Sequence, residues 1–408
     1  MDYEFECIGC HTHFLNSETA YVCSSCGDLL EVTYDPDELR EAVDVSIWKS
    51  KAPSVWKYQE LLPTKRASVK VTLGEGGTTL HRTKRLGELF GLRELSVKNE
   101  GENPTGSFKD RGMTVGISRA VEVNAKRVIC ASTGNTSASL AAYAAKAGLE
   151  SIVIIPRGKI ALGKLTQAIA HGARVIEIEG YFDDALRAVL GLVKSDPALY
   201  MLNSVNPYRI EGQKTLAFEI WDQLGGGAPD SVIVPVGNAG NISAIWKGFQ
   251  DLDRIGLISR LPRMIGIQAQ GASPISDAFK AGRSHIIPVQ HPDTIATAIK
   301  IGSPASWRKA LMAVKSSGGM METVTDDEIL ESQKLLAGLE GLFSEPASAA
   351  SVAGLKKLVD SGAIGVDEEV TCVVTGHGLK DPDIVLKSFN KSTIAKCDLQ
   401  SINFVLNS

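Results

Sequence analysis

Residues Asn99 to Met113 read NEGENPTGSFKDRGM, and the fold and chemistry of the whole chain are read outward from this stretch. Pro104, Thr105 and Gly106 break the backbone, and Ser107 then offers a side-chain cap to a new helix. Lys109 falls in the first turn of that helix, where the positive end of the dipole disfavours its ammonium form. Asp110 and Arg111 flank it with both signs of charge. An amine eased toward neutrality in a loop of small residues suits Schiff-base chemistry with an aldehyde cofactor. A surface lysine beside a helix cap has the same spacing, so the stretch alone leaves both readings open.

On either side of this loop, short apolar runs alternate with helical patterns. Leu95–Lys98 reads as a strand entering it. Downstream, expected strands at 127–131, 151–156, 174–178, 231–236, 263–268 and 370–374 alternate with expected helices at 137–148, 162–172, 182–194, 211–224, 242–251, 326–338 and through Leu358. Met201–Ser204 reads as extended chain, and the tail after Asp381 is weakly patterned. Strands alternating with helices predict an α/β fold with parallel sheets covered on both faces. At 408 residues the chain is too long for one simple core, so two lobes and a small module are expected.

Three polar turns follow expected strands, at the carboxyl ends where open parallel sheets bind ligands. Gly237-Asn238-Ala239-Gly240-Asn241 can aim backbone N–H groups and a helix N-terminus at one anion. It has no Walker lysine and lacks full GxGxxG spacing, so a single phosphate monoester fits better than a nucleotide triphosphate. A tight turn with no ligand has the same look. Ser132-Thr133-Gly134-Asn135-Thr136 suits a carboxylate or a cofactor oxygen, unless its hydroxyls simply cap a helix. Thr375-Gly376-His377-Gly378 ends the last strand. A hydroxyl there can meet a ring nitrogen without charging it, and His377 is read as structural.

The N-terminus carries Cys7-Ile-Gly-Cys10, twelve intervening residues and Cys23-Ser-Ser-Cys26. Two such knuckles can give four thiolates to one tetrahedral zinc, which closes the site and makes it structural. A ribbon without metal or a redox pair are the alternatives, and His11 and His13 are read as bystanders. Strand-like sequence follows at Leu29–Tyr34. No Lys or Arg occurs from Met1 to Tyr34, whereas Asp2, Glu4, Glu6, Glu18, Asp28 and Glu31 do. That charge opposes phosphate contacts, so no nucleic-acid role is expected.

Composition agrees with this reading. Hydrophobic residues make up 44% and charged residues 22%, with a formal net charge of −4. These values describe an ordinary globular protein without general attraction to nucleic acid or anionic lipid. No apolar run reaches transmembrane length, and MDYEFEC lacks the basic and apolar parts of a signal peptide. Seven cysteines, four of them in CxxC pairs, fit a reducing cytoplasm better than a disulfide framework.

One phosphate cradle, one activated lysine and one hydroxyl for a ring nitrogen suit pyridoxal 5′-phosphate. NPTGSFKDRGM, STGNTSAS, NSVNPYRIEGQKT, VPVGNAGN, EPASAAS and TGHGLKDP occur in that order between Gly74 and Pro382. Together they resemble the threonine synthase family, pyridoxal-phosphate enzymes of the tryptophan synthase β-chain fold. The cysteine module resembles the zinc ribbon of some archaeal and bacterial members. One departure is Gly77-Thr78-Thr79-Leu80, where the family often has Asn-Thr-Pro-Leu.

The resemblance implies a two-lobed fold of open twisted sheets with helices on both faces. The module would span 1–34, the large lobe 35–100 and 204–408, and the small lobe 101–203. It implies that Lys109 holds the coenzyme and moves protons, with Phe108 against the ring. Asn135 would contact the ring hydroxyl, Gly237 to Asn241 the cofactor phosphate, and Thr375 the ring nitrogen. The implied substrate is O-phospho-L-homoserine. Its carboxylate would sit on the turn of Ser132, Thr133 and Thr136, and its phosphate against Asn203, Ser204 and Arg209, with Lys109 and Asn238 nearby. Phosphate would leave and water would add to give threonine, in a homodimer. Cysteate synthase, using phosphoserine and sulfite, has closely similar motifs. A serine or threonine dehydratase typically has a run of glycines in place of GNAGN. A non-catalytic ligand sensor would have no need of Lys109, Asn135 and Thr375.

Overall fold

A computed structural model describes residues 2–15, 21–64, 69–157, 162–180, 182–196, 198–389 and 394–407. Glu18 and positions 65–68 of the segment linking the module to the first large-sheet strand lie outside the described residues. The strands are β1 (Glu4–Cys7), β2 (His13–Leu15), β3 (Leu30–Thr33), β4 (Leu80–Arg82), β5 (Glu94–Asn99), β6 (Arg127–Ala131) and β7 (Glu150–Pro156). They continue as β8 (Arg174–Ile178), β9 (Leu199–Met201), β10 (Ser231–Pro235), β11 (Arg263–Ala269), β12 (Met320–Val324) and β13 (Glu369–Val374). The longer helices are α1 (Lys109–Glu122), α2 (Asn135–Ala147), α3 (Leu162–Ala170), α4 (Phe182–Ser195) and α5 (Pro207–Gln223). α6 (Gly240–Arg254), α7 (Trp307–Ser316), α8 (Asp326–Glu340) and α9 (Pro346–Asp360) follow.

These strands form three sheets. The N-terminal one is antiparallel, ordered β2-β1-β3; a larger one runs β12-β11-β10-β13-β5-β4, and a smaller one β8-β7-β6-β9. Within the larger sheet only the β4–β5 pair is antiparallel, and the smaller sheet is wholly parallel. Strands buried on both faces must be apolar at every position, and β10 shows it. Val232 and Val234 enter one core with Phe218 and Phe249, while Ile233 enters the opposite core with Leu355 and Val352. The smaller sheet repeats the arrangement, with Val128 and Cys130 on one side and Ile129 and Ala131 on the other. The expected α/β architecture is therefore present.

Several details differ from the sequence expectation. Strand β12 and helix α7 were not expected, because MMETV is short and only partly buried and begins after two glycines. β9 ends at Met201 rather than continuing to Ser204. Asn203 folds back, donating from Nδ2 to the Ala131 carbonyl at 2.9 Å and accepting its N–H at 3.0 Å. α5 begins at Pro207, four residues early, because Asn206 caps it by accepting the Tyr208 N–H at 3.0 Å. The tail holds two short helices, Pro382–Ser388 and Leu399–Leu406, neither with a buried residue. Among the described residues, no helix is long and apolar enough to cross a membrane.

Candidate active site

Lys109 opens α1, as expected, but the capping differs. The cap position is Phe108, already helical at φ −55° and ψ −15°, so the first turn closes on backbone carbonyls. Ser107 therefore does not cap, and its buried Oγ has no hydrogen-bond partner. The neighbouring charges also turn away from Lys109. Asp110 accepts from Thr105 N and Oγ1 at 2.7 and 2.6 Å and from Ser139 Oγ at 2.5 Å. Arg111 is buried between Glu100 and Glu219, donating to each through two nitrogens at 2.6–2.7 Å. These groups pin the loop. The charges that act on Lys109 come from far along the chain.

The foremost of these is Arg209. Burial first and the Arg209 charge second lower the Lys109 amine, against the opposing Glu345, to about 7. Lys109 Nζ stands 4.1 Å from the centroid of the Phe108 ring. Arg209 itself is 2% exposed and, among the described residues, has no carboxylate partner. Its Nη1 donates to the Leu202 carbonyl at 3.3 Å, and Nε is unpartnered. Desolvation lowers its guanidinium to about 10. A buried cation without an acid is costly, and it is the arrangement an incoming anion completes.

The motifs that are distant in sequence meet through backbone hydrogen bonds. The Phe108 N–H donates to the Thr375 carbonyl at 3.1 Å, the His377 N–H to Gly106 at 2.9 Å and the Glu345 N–H to Gly376 at 3.0 Å. Thr375 Oγ1 lies 3.0 Å from Ser348 Oγ, which also accepts the N–H groups of Thr375 and Gly376 at 3.0 and 2.8 Å. His377 accepts from Leu379 N–H at 3.2 Å and packs edge-on against Phe343. Asn135 starts α2 and donates from Nδ2 to Glu345 Oε1 at 2.9 Å, leaving a buried Oδ1 unpartnered. Ser132 Oγ accepts only the Gly134 N–H, so no side chain caps α2. Thr133 and Thr136 are partly buried beside it.

At the other turn, Ala239 adopts φ +66° and α6 starts at Gly240. The first N–H groups of a helix have no partner within it. Both amide atoms of Asn241 are buried and unpartnered. A Cβ on Gly237 would meet the Ala298 carbonyl at 3.0 Å, so a side chain there would press on the backbone at 298–299. Asn238 is engaged instead with the segment before α7, accepting from Ala305 N–H at 3.3 Å and Ser306 N–H at 3.1 Å. Ser204 is partly buried between Asn203 and α5, whereas the Asn203 carboxamide is committed to Ala131.

Three side chains escaped the sequence reading. Glu345 and Ser348 lie in EPASAAS, a motif visible in the sequence but given no role. Lys164 on α3 had no signal; its buried amine contacts Asp381 at 2.8 Å, Thr297 at 2.7 Å and Glu345 at 3.2 Å.

Comparison with known proteins bears on this arrangement. Residues 71–376 match the family model described as pyridoxal-phosphate dependent enzyme. The chain is 54% identical over 400 residues to "Threonine synthase" of Methanocaldococcus jannaschii, covering 98% of both chains. It is 53% identical to "Threonine synthase" of Methanosarcina acetivorans, with the same coverage. The chain belongs to the threonine synthase family of pyridoxal-phosphate dependent enzymes. Solved members of the wider fold superpose on it. Maize serine racemase gives a TM-score of 0.64 at 21% identity over 81% of this chain and 91% of its own. A threonine deaminase isoform from Solanum lycopersicum gives 0.65 at 21%, over 92% and 89%. In this threonine synthase family member, Thr79 holds the turn Gly77-Thr78-Thr79-Leu80 through its backbone. The Thr79 N–H donates to Glu102 Oε2 at 2.7 Å, a bond proline cannot make.

The four cysteine sulfurs of the N-terminal sheet lie within 4.8 Å of one another. His11 and His13 instead pair with Glu6 and Glu4.

Proposed function

We propose that this chain converts O-phospho-L-homoserine and water into L-threonine and inorganic phosphate. The observation that carries the reading is Arg209, a buried guanidinium that has no carboxylate partner among the described residues and acts on Lys109 at the start of α1. Its fork matches a phosphate group. Ser204 lies five residues before Arg209 on the same segment, and Thr136 stands in the first turn of α2. The turn from Ser132 to Thr136, opening onto α2, suits the substrate carboxylate.

Pyridoxal phosphate fits the remaining groups. Its phosphate suits the Gly237–Asn241 turn, its ring hydroxyl Asn135 and its ring nitrogen Thr375. When bound, it supplies an electron sink beside the substrate α-carbon. With an amine near 7, Lys109 can accept a proton and return it near neutral pH. Glu345 holds the Asn135 carboxamide in place, and Ser348 fixes Thr375. Arg209 binds the phosphate through substrate entry and leaving-group departure.

The four cysteines are read as the ligands of one structural zinc, and the molecule as a cytoplasmic homodimer with lobes divided near residues 100 and 203. Metal analysis and light scattering test the first two. The activity is tested by supplying O-phospho-L-homoserine and measuring phosphate and threonine together. Equal release of both supports the reading. Turnover of phosphoserine plus sulfite in its place would assign cysteate synthesis.

A further inference from the structure

The segment 200–211 leads from the smaller sheet into α5 and carries Ser204 and Arg209. Its start is tied to the smaller sheet, where Asn203 bonds Ala131 twice and the Leu202 N–H donates to the Ile129 carbonyl at 2.9 Å. Asn206 donates to the Met201 carbonyl at 2.8 Å and caps α5, and Arg209 follows three residues later. A helix start is where a helix frays. This one must also hold a desolvated, unpaired guanidinium next to a second cation.

Three tyrosines of the N-terminal module meet this segment. Tyr21 Oη accepts the Met201 N–H at 2.9 Å, and its ring packs edge-on against Tyr200. Tyr3 and Tyr208 share a hydrogen bond between hydroxyls at 2.9 Å, and Phe5 packs edge-on on the Tyr208 ring at 5.6 Å. Tyr34 donates to Glu211 Oε2 at 3.0 Å. The contacts fall before, beside and beyond Ser204 and Arg209. Tyr3 lies four residues before Cys7 and Tyr21 two before Cys23, so the cysteine cluster sets the spacing of the two grips.

We infer that the N-terminal module is a clamp on segment 200–211, in which Tyr3 and Tyr21 are positioning residues that hold Arg209 and Ser204 for the substrate phosphate. The inference rests on the reading of that segment as the phosphate site. The module's other contacts serve as an internal control. Asp28 pairs with Arg308 and Glu31 with Lys309, both on α7 and outside the segment.

The test is calorimetric binding of inorganic phosphate to the holoenzyme, with KM and kcat for O-phospho-L-homoserine measured alongside. Tyr3→Phe/Tyr21→Phe should weaken phosphate and raise KM about three- to tenfold, the scale of one or two neutral hydrogen bonds. kcat and the absorbance of the bound coenzyme should change little. Asp28→Asn should leave phosphate binding unchanged. Tyr21→Phe alone, at a partly exposed position, keeps the test available should the double variant not fold. A folded variant that binds phosphate like wild type would overturn the clamp, as would an equal loss in Asp28→Asn. Wild-type holoenzyme that absorbs visibly yet binds no phosphate would instead remove the phosphate reading, and the clamp with it.

Discussion

Gly212 on α5 lies so close to Arg111 on α1 that a Cβ there would stand 1.9 Å from the Arg111 carbonyl oxygen. The approach is reciprocal, since a Cβ on Gly112 would meet the Arg209 carbonyl at 2.6 Å. Glycines at this crossing let two helices touch backbone to backbone, and so bring Lys109 and Arg209 to one place.

Filling that contact should separate the two cations. Gly212→Ala is expected to cost about 2–3 kcal/mol, because backbone must move to admit the methyl group. Urea denaturation measures the loss. Activity should fall further than stability alone accounts for, since Arg209 moves away from Lys109.

Arg209 itself should show opposite effects on stability and function. Replacing it with leucine removes a desolvated charge that has no acid partner among the described residues, so the cofactor-free Arg209→Leu protein should melt at the same temperature or higher. KM for the phosphorylated substrate should rise about 10- to 100-fold, the scale of a charge-assisted hydrogen bond. A lower melting temperature with unchanged KM would contradict this.

Lys109 makes stability depend on pH in a fixed direction. Its folded-state pKa is about 7 and its ordinary value 10.5. Between those values the unfolded chain keeps a proton that the folded chain has lost, so this residue makes stability rise with pH across the window. In cofactor-free protein, Lys109→Met should therefore be more stable than wild type at pH 6. The advantage should shrink as pH climbs past 7 toward 10.5. Denaturation at pH 6, 8 and 10 checks it, and a gap that stays constant would contradict it.

The four-cysteine site makes a prediction about metal. One zinc per chain is expected, and Cys23→Ser should lose it, because a tetrahedral site of four thiolates does not survive the loss of one. Thermal melting should drop with the metal, since Cys7 and Cys23 share a core with Val55, Trp56, Val115 and Tyr208.

What the sequence disclosed follows from the range of each interaction. Alternating apolar runs show up locally, so most strands and helices were legible within a few residues. Lys109 at a helix start and Thr375 at a strand end were legible for the same reason. The idle hydroxyl of Ser107 is not legible, because a serine before a helix looks like a cap whether or not its hydroxyl is used. The partners of Asp110 and Arg111 were hidden, because Ser139 and Glu219 approach only through tertiary packing. Lys164 gave no sign at all, since a lysine's burial is not written in its neighbours. The tyrosines at 3, 21 and 34 look like ordinary core aromatics until Met201, Tyr208 and Glu211 are placed beside them.

The most direct test of the account is to reconstitute the protein with pyridoxal phosphate, reduce it with borohydride and map the labelled peptide by mass spectrometry. The account predicts a visible absorbance band before reduction and a single adduct on Lys109, both absent in Lys109→Ala. A colourless protein, or a label on another residue with the band retained in Lys109→Ala, would contradict it.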